Sequence, residues 1–102
     1  MAQEQSSQNK QQLQIKATDE VLKGVYANMA QIGHTPEEFV LDFMNLFPPA
    51  GTLNARVIIS PSHAKRIAVA LADNIKKYEE KFGEIKAGKG PEGEHKFGFR
   101  TE

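Results

Sequence analysis

The chain has 102 residues, with 13 Lys and Arg against 13 Asp and Glu, and it contains no cysteine. This length suits one small domain, and the zero net charge gives no overall attraction to nucleic acid or to an anionic membrane. Without cysteine, disulfide scaffolds, thiolate metal sites and cysteine nucleophiles are excluded. No apolar run approaches the roughly 20 residues of a membrane span, and the first residues lack the apolar core of a signal peptide, so we expect a cytoplasmic protein without membrane contact.

Composition divides the chain into one domain and two tails. Residues 1–12 are rich in glutamine and poor in apolar side chains, which predicts a disordered N-terminal tail. Residues 84–102 are rich in glycine, which predicts a flexible C-terminal tail. The remaining residues, 13–83, form the single predicted domain.

The first part of the domain is predicted to be a sheet. Alternating apolar residues from Leu13 to Ala17 predict a short strand, and β-rich runs bounded by turn residues predict three more. The stretch PPAGT should interrupt the ladder before the last of them. The predicted strands are 13–17, 24–33, 38–47 and 53–59.

A long helix should follow the last strand. Ser60 suits the cap, Pro61 suits the first helical position, and Gly83 suits the end. The predicted class is therefore α+β: an antiparallel meander of three or four strands, followed by one long C-terminal helix packed on one sheet face. Alternating steps of four and three residues define the side of the helix expected to be buried, here called the apolar stripe: Ala64, Ala68, Leu71, Ile75, Tyr78 and Phe82, with Ile67 and Ala72.

The predicted turns set a register and two faces. Turns centred on Thr35 and Pro49 place Asn28, Asp42 and Arg56 in one structural polar row. A charge within an apolar strand is costly unless paired, so Arg56 is the predicted partner of Asp42. A catalytic or ligand-binding carboxylate is the alternative, but no second acid and no histidine shares this predicted face.

The face that carries the polar row is otherwise apolar, and no second helix is available to cover it. Self-association as a homodimer or higher oligomer is therefore expected. The candidate interface residues are Tyr26, Ile32, Val40, Met44 and Ile58. The helix should take the opposite face, which is predicted to carry Val25, Ala27, Met29, Phe39, Leu41, Phe43, Val57 and Ile59.

Two basic stretches are candidate sites for anions. Ser62, Lys65 and Arg66 lie at the helix start, where cations oppose the helix dipole unless an anion is bound there. The stretch KFGFR, residues 96–100, places aromatic rings between cations, a pattern that can stack on nucleic-acid bases. A solvated helix start and a plain tail are the alternatives.

Catalytic signatures are absent from the sequence. The three histidines lie in a predicted turn, at the helix start and in the tail, without zinc-ligand spacing. Ser60 is explained as a helix cap, and no nucleophile elbow or glycine-rich nucleotide motif occurs. We therefore predict a protein that is not an enzyme and has no metal or cofactor.

Several segments resemble a known family. GVYANMAQIGHTPEEFVLDF, ARVIISPSHAKR and NIKKYEEKFG occur in the order found in a small bacterial and archaeal family known only as a domain of unknown function. The resemblance spans residues 24–83 and implies a family identity but no activity, substrate or partner.

Three functions remain open from the sequence. The leading hypothesis is a non-catalytic homo-oligomeric interaction module. The second is a nucleic-acid-binding accessory protein that uses SPSHAKR and KFGFR, for which strong salt dependence would be the sign. The third is a chaperone-like protein that presents apolar sheet surface to other polypeptides.

Overall fold

The computed structural model describes residues 12–88, 98–99 and 101. Three strands form one sheet in the order β1-β2-β3, and both neighbouring pairs are antiparallel. This confirms the α+β class and the meander followed by a long C-terminal helix. The elements in chain order are α1 (Asp19–Lys23), β1 (Met29–His34), β2 (Phe39–Phe47), β3 (Ala50–Ile59) and α2 (Pro61–Phe82).

The predicted tails fall only partly within the described residues. Residues 1–11 of the predicted N-terminal tail, and 89–97, 100 and 102 of the predicted C-terminal tail, lie outside them. Residues 84–88 are exposed and belong to no helix or strand.

The predicted strand at 13–17 is wrong, and a short helix follows instead. Residues 12–18 belong to no regular element. Thr18 begins α1 because its side chain accepts a hydrogen bond from the backbone N–H of Val21, and Asp19 and Glu20 lie in the first turn. This cap-and-acid pattern is a helix-start signal. Apolar alternation over so few residues carried less information than the cap did.

The first hairpin turns later than predicted and shifts the register by three residues, and this changes a face. The Thr35 hydroxyl accepts hydrogen bonds from the backbone N–H groups of Glu37 and Glu38, both at 3.2 Å. The turn is thus centred after Pro36, and Gln31, instead of Asn28, lies opposite Asp42. Because the displacement is odd, every β1 side chain moves to the opposite face from the one predicted.

The second hairpin is tighter than predicted and contains a bulge. Pro48 and Pro49, joined by a cis peptide bond, occupy only the turn, and Phe47 already pairs with Ala50. PPAGT was predicted to interrupt the ladder, but only its two prolines lie outside the strands. The prediction is wrong for Ala50, Gly51 and Thr52, which belong to β3. A register shift between Phe43 and Met44 leaves Asn54 as the extra residue of β3. Because of this shift, Arg56 lies opposite Asp42. A regular hairpin with its turn centred on Pro49, as predicted, would have paired the same two residues.

The observed register defines two faces. The first, here called the ion-pair face, has a charged pair beside Gln31 among otherwise apolar residues: Met29, Gln31, Gly33, Val40, Asp42, Met44, Leu46, Leu53, Arg56 and Ile58. The second, here called the apolar face, is apolar along its middle, with His34 near one end and the Asn45–Thr52 pair near the other: Ala30, Ile32, His34, Phe39, Leu41, Phe43, Asn45, Phe47, Ala50, Thr52, Ala55, Val57 and Ile59.

The helix α2 has the predicted ends but not the predicted packing. The Ser60 side chain accepts a hydrogen bond from the backbone N–H of His63, Pro61 is the first helical residue, and Gly83 adopts φ 100° at the end. No residue of α2 is buried, and α2 does not lie along the sheet. The prediction that this helix packs on a face of its own sheet is therefore wrong.

The connection between β3 and α2 explains why the helix leaves the sheet. Only Ser60 separates Ile59 from Pro61, and its φ of −75° and ψ of 157° are extended. Connections that return a helix to the sheet it follows usually take about 2–6 residues. The apolar stripe consequently remains exposed within one chain.

The buried core is small. Met44, Leu46 and Ile59 are the buried apolar residues of the described chain, at 3, 8 and 9 % exposure. No described side chain falls below 2 % exposure. A domain of this size needs a larger core or an additional source of stability.

Candidate functional site

Asp42 and Arg56 form a two-pronged ion pair at the centre of the ion-pair face. Arg56 Nε donates to Asp42 Oδ1 at 2.7 Å, and Arg56 Nη2 donates to Asp42 Oδ2 at 2.9 Å. Their Cα positions are direct partners across β2 and β3. The Asp42 side chain is buried, whereas that of Arg56 is 48 % exposed. The guanidinium is therefore oriented by Asp42 and still accessible to a further contact.

The pair keeps Asp42 ionised. Hydrogen bonds from Arg56 lower the pKa of Asp42 below 3.8, with burial opposing and the positive charge of Arg56 reinforcing the effect. The hydrogen bond to Asp42 and its negative charge in turn raise the pKa of Arg56. A carboxylate with a lowered pKa and both oxygens engaged is poorly suited to general acid or base chemistry at neutral pH.

This pKa direction predicts an acid-sensitive contribution to stability. Since the folded-state pKa of Asp42 is depressed, its contribution is present above the unfolded value of about 3.8 and is lost as the pH falls through the lower folded value. As the pH is lowered from about 3.8, the melting temperature should therefore fall more steeply for the wild type than for Asp42→Asn. Parallel curves for the two proteins would contradict this role.

Asn28 has a different role from the predicted one. It is not part of a row with Asp42 and Arg56; its side-chain amide instead pairs with the backbone of Leu46. Asn28 Nδ2 donates to the Leu46 carbonyl at 3.2 Å, and the Leu46 N–H donates to Asn28 Oδ1 at 2.9 Å. Asn28 thereby continues the β1–β2 ladder with a side chain and satisfies two backbone groups of a buried residue.

Asn54 also holds the segment that precedes β1. Its Nδ2 donates to the Tyr26 carbonyl at 2.7 Å. Because Asn54 is the bulged residue of β3, its position depends on an irregularity that no sequence motif announces. Sequence reasoning missed this contact for that reason.

The predicted interface residues do not form one surface. Val40 and Ile58 share the ion-pair face, but Ile32 lies on the apolar face because β1 has the other register. Met44 belongs to the ion-pair face yet is buried within its own chain. Tyr26 precedes β1 and is exposed.

Two other apolar surfaces are open instead. On the apolar face, Ile32 is 61 % exposed and Val57 is 44 % exposed. On α2, the stripe residues Leu71, Ile75 and Tyr78 are all exposed. These two surfaces are therefore the candidate contact surfaces of the chain.

The candidate anion residues lie together at the start of α2. Arg66 Nη1 donates to Ser62 Oγ at 2.8 Å, and Lys65 lines the same shallow concavity. Asp73 closes one end of it with a negative charge. The arrangement is a local helix-surface contact and contains no element beyond α2.

Part of the KFGFR stretch also lies within the structure. Lys96, Phe97 and Arg100 fall outside the described residues. The Arg56 guanidinium lies over the Phe99 ring, with 5.6 Å between Arg56 Cζ and the ring centroid. Phe99 thus contacts the ion-pair face.

The described part of the chain has neither a cluster of metal ligands nor a membrane-spanning helix. Within residues 12–88, 98–99 and 101, no group of three His, Asp or Glu side chains is placed to hold a metal ion. In the same residues, no helix has both the length and the apolar character needed to cross a bilayer.

Comparison with known proteins places the chain in a family without assigning it an activity. No curated protein and no solved structure matches it. A protein-family model matches residues 1–87, which confirms the resemblance to a family of unknown function. The chain therefore belongs to the family described as protein of unknown function (DUF3467).

Proposed function

We propose that this protein is a non-catalytic homo-oligomeric interaction module, in which α2 of one copy covers the apolar face of another. The observation that carries the proposal is a 22-residue helix with an apolar stripe and no buried residue. Most helical stability in proteins comes from packing of the amphipathic face. The stripe of α2 therefore needs a partner that its own sheet does not provide.

The dimensions of the two surfaces support the pairing. A helix of 22 residues is about 33 Å long, and nine residues of β2 extend over about 30 Å. Three strands spaced at about 4.8 Å are about 10 Å wide between the outer two, close to the diameter of one helix. One α2 is thus the right size to cover one apolar face.

A second copy is the partner that the chain itself supplies. Each copy has one open stripe and one open apolar face. When two copies exchange helices, the stripe of each copy covers the apolar face of the other, and all of these surfaces are buried. Such an exchange gives a closed, two-fold assembly with no surface left to recruit further copies. It also enlarges a core that is small in the single chain.

The absence of catalysis in this proposal rests on the chemistry of the ion-pair face. Asp42, the buried carboxylate of the described residues, has both oxygens hydrogen-bonded to Arg56. An interaction module needs such a pair only to orient the strands and to satisfy a buried charge.

Light scattering on the wild type tests the proposal through a matched pair of variants. The wild type at tens of micromolar should be a discrete dimer or a larger closed oligomer. Val57→Lys places a charge on the apolar face and should give monomer or aggregate. Ile58→Lys is the control, because Ile58 is more exposed, at 55 % against 44 %, but lies on the other face.

The same measurement separates the alternatives. A stable wild-type monomer that binds a hydrophobic dye would replace the oligomer with a chaperone-like surface. Dissociation by Ile58→Lys but not by Val57→Lys would move the interface to the ion-pair face.

A further inference from the structure

We propose that the ion-pair face is a docking groove for an aromatic side chain, and that the chain's own Phe99 is its resident occupant. This groove lies on the opposite side of the sheet from the surface in the proposed oligomer, so the inference stands apart from it. The starting observation is the guanidinium of Arg56 over the ring of Phe99, at 5.6 Å from Cζ to the ring centroid. An arginine at this distance is attracted to the face of an aromatic ring.

Arg56 is prepared for this contact by Asp42. The two hydrogen bonds, at 2.7 and 2.9 Å, hold one edge of the guanidinium and so fix the orientation of its plane. Since Asp42 is buried and Arg56 is half exposed, the outer surface of that plane is open. A guanidinium fixed in this way offers a flat, positioned surface to a ring, and little side-chain freedom is lost when the ring binds.

The sheet supplies an apolar depression beside the cation. Gly33 pairs with Val40 on this face, and both line a concavity shared with Asp42 and Phe99. A Cβ atom at Gly33 would meet open space, so the missing side chain leaves room next to Val40. The ring therefore has a cation over its face and an apolar surface beside it.

A second depression continues the groove toward the Pro48–Pro49 turn. Met44, Leu46 and Leu53 line it together with Gly98 and Phe99. Phe99 lies where the two depressions meet, and it remains 51 % exposed. We infer that a ring that is half exposed and held by a cation–π contact is a reversible occupant, which a second aromatic peptide can replace.

Nuclear magnetic resonance on the full chain tests the docking of Phe99. Contacts from the Phe99 ring to the Arg56 side chain and the Val40 methyl groups should be seen in the wild type. Phe99→Trp should keep them, because tryptophan is the best ring for a cation. Arg56→Gln should remove the contacts to the ring, whereas Arg66→Gln, a change in an exposed arginine of α2, should leave them intact.

A second variant keeps the test valid if Arg56→Gln fails to fold. Gly33→Leu places its Cβ in open space on the strand, leaves Asp42 and Arg56 unchanged in sequence and fills the depression beside Val40. It should displace the Phe99 ring while the Asp42–Arg56 signals stay in place. Retention of the ring contacts in this variant would overturn the proposed groove.

The binding claim is tested by supplying the occupant from outside. A synthetic peptide of residues 94–102 (EHKFGFRTE) is titrated into full-length Phe99→Ala, in which the groove is vacated. Signals of Arg56, Val40 and Met44 should shift, and binding should be about threefold or more tighter than to the wild type, where a tethered ring competes. The same peptide with alanine in place of both Phe97 and Phe99 has no aromatic ring from phenylalanine; it is the control and should not bind.

Two results would overturn the inference: no shift in Phe99→Ala, or equal binding of the peptide to Phe99→Ala and wild type. Neither result bears on the oligomeric state, which light scattering reports independently.

Discussion

Leu71→Lys should dissociate the oligomer and melt most of α2. Leu71 lies at the centre of the apolar stripe and is exposed in the single chain, so the proposed assembly buries it in each copy. Burial of a leucine side chain is worth about 1.5–3 kcal/mol, so loss of both in a dimer should raise the dissociation constant by about 10² or more. Sedimentation equilibrium and far-ultraviolet circular dichroism measure the two effects.

Val69→Lys is the matched control for Leu71→Lys. The two residues are equally exposed, at 57 and 59 %, but Val69 lies on the polar side of α2. The control should therefore remain oligomeric and helical. Equal loss of helix in both variants would mean that α2 depends on its own propensity and not on the stripe.

The second large effect is expected at Asp42 and Arg56. Removal of Arg56 leaves a buried carboxylate without its partner, so Arg56→Met should destabilise the protein far more than a change at an exposed ion pair. The exposed pair Lys23–Glu20, at 3.8 Å, is the internal comparison. The double change Asp42→Leu and Arg56→Met should recover part of the loss, because no unpaired charge then remains.

A double-mutant cycle in chemical denaturation measures this coupling. The coupling free energy of Asp42 and Arg56 should clearly exceed that of Lys23 and Glu20. The Lys23–Glu20 pair is weak because both side chains are long and exposed to solvent. Additive single effects at Asp42 and Arg56 would show that the pair does not act as a unit.

The sequence was most informative where a structural signal was local. Ser60, Pro61 and Gly83 define both ends of α2 because caps act through backbone groups a few residues away. Thr18 with Asp19 and Glu20 carried the same kind of signal for α1. A cap is therefore a better guide than the apolar alternation that suggested a strand at 13–17.

Register was harder to predict because a small error in a turn changes a whole face. The Thr35 hydroxyl determines where the first turn lies, and this reverses the assignment of every β1 side chain. In the second hairpin, the bulge at Asn54 offset the difference between the predicted and the observed turn. Asp42 and Arg56 were therefore placed opposite each other by a register that was right for a different reason.

Two contacts could not be predicted from sequence patterns: what covers the apolar stripe of α2, and what lies against Arg56. The apolar stripe of α2 indicates burial but does not say against what. Whether the helix returns to its own sheet depends on the single extended residue between Ile59 and Pro61. The contact between Phe99 and Arg56 joins residues far apart in the chain and leaves no periodic signal.

The most direct test of the exchanged helix is disulfide cross-linking between two singly substituted proteins. The chain has no cysteine of its own, so Val57→Cys on the apolar face and Leu71→Cys on the stripe each introduce one thiol. Mixed, equilibrated and oxidised gently, the two proteins should form a covalent heterodimer in high yield, and Val57→Cys with Val69→Cys should not. Equal yields from both mixtures, or a covalent product from neither, would contradict the assembly.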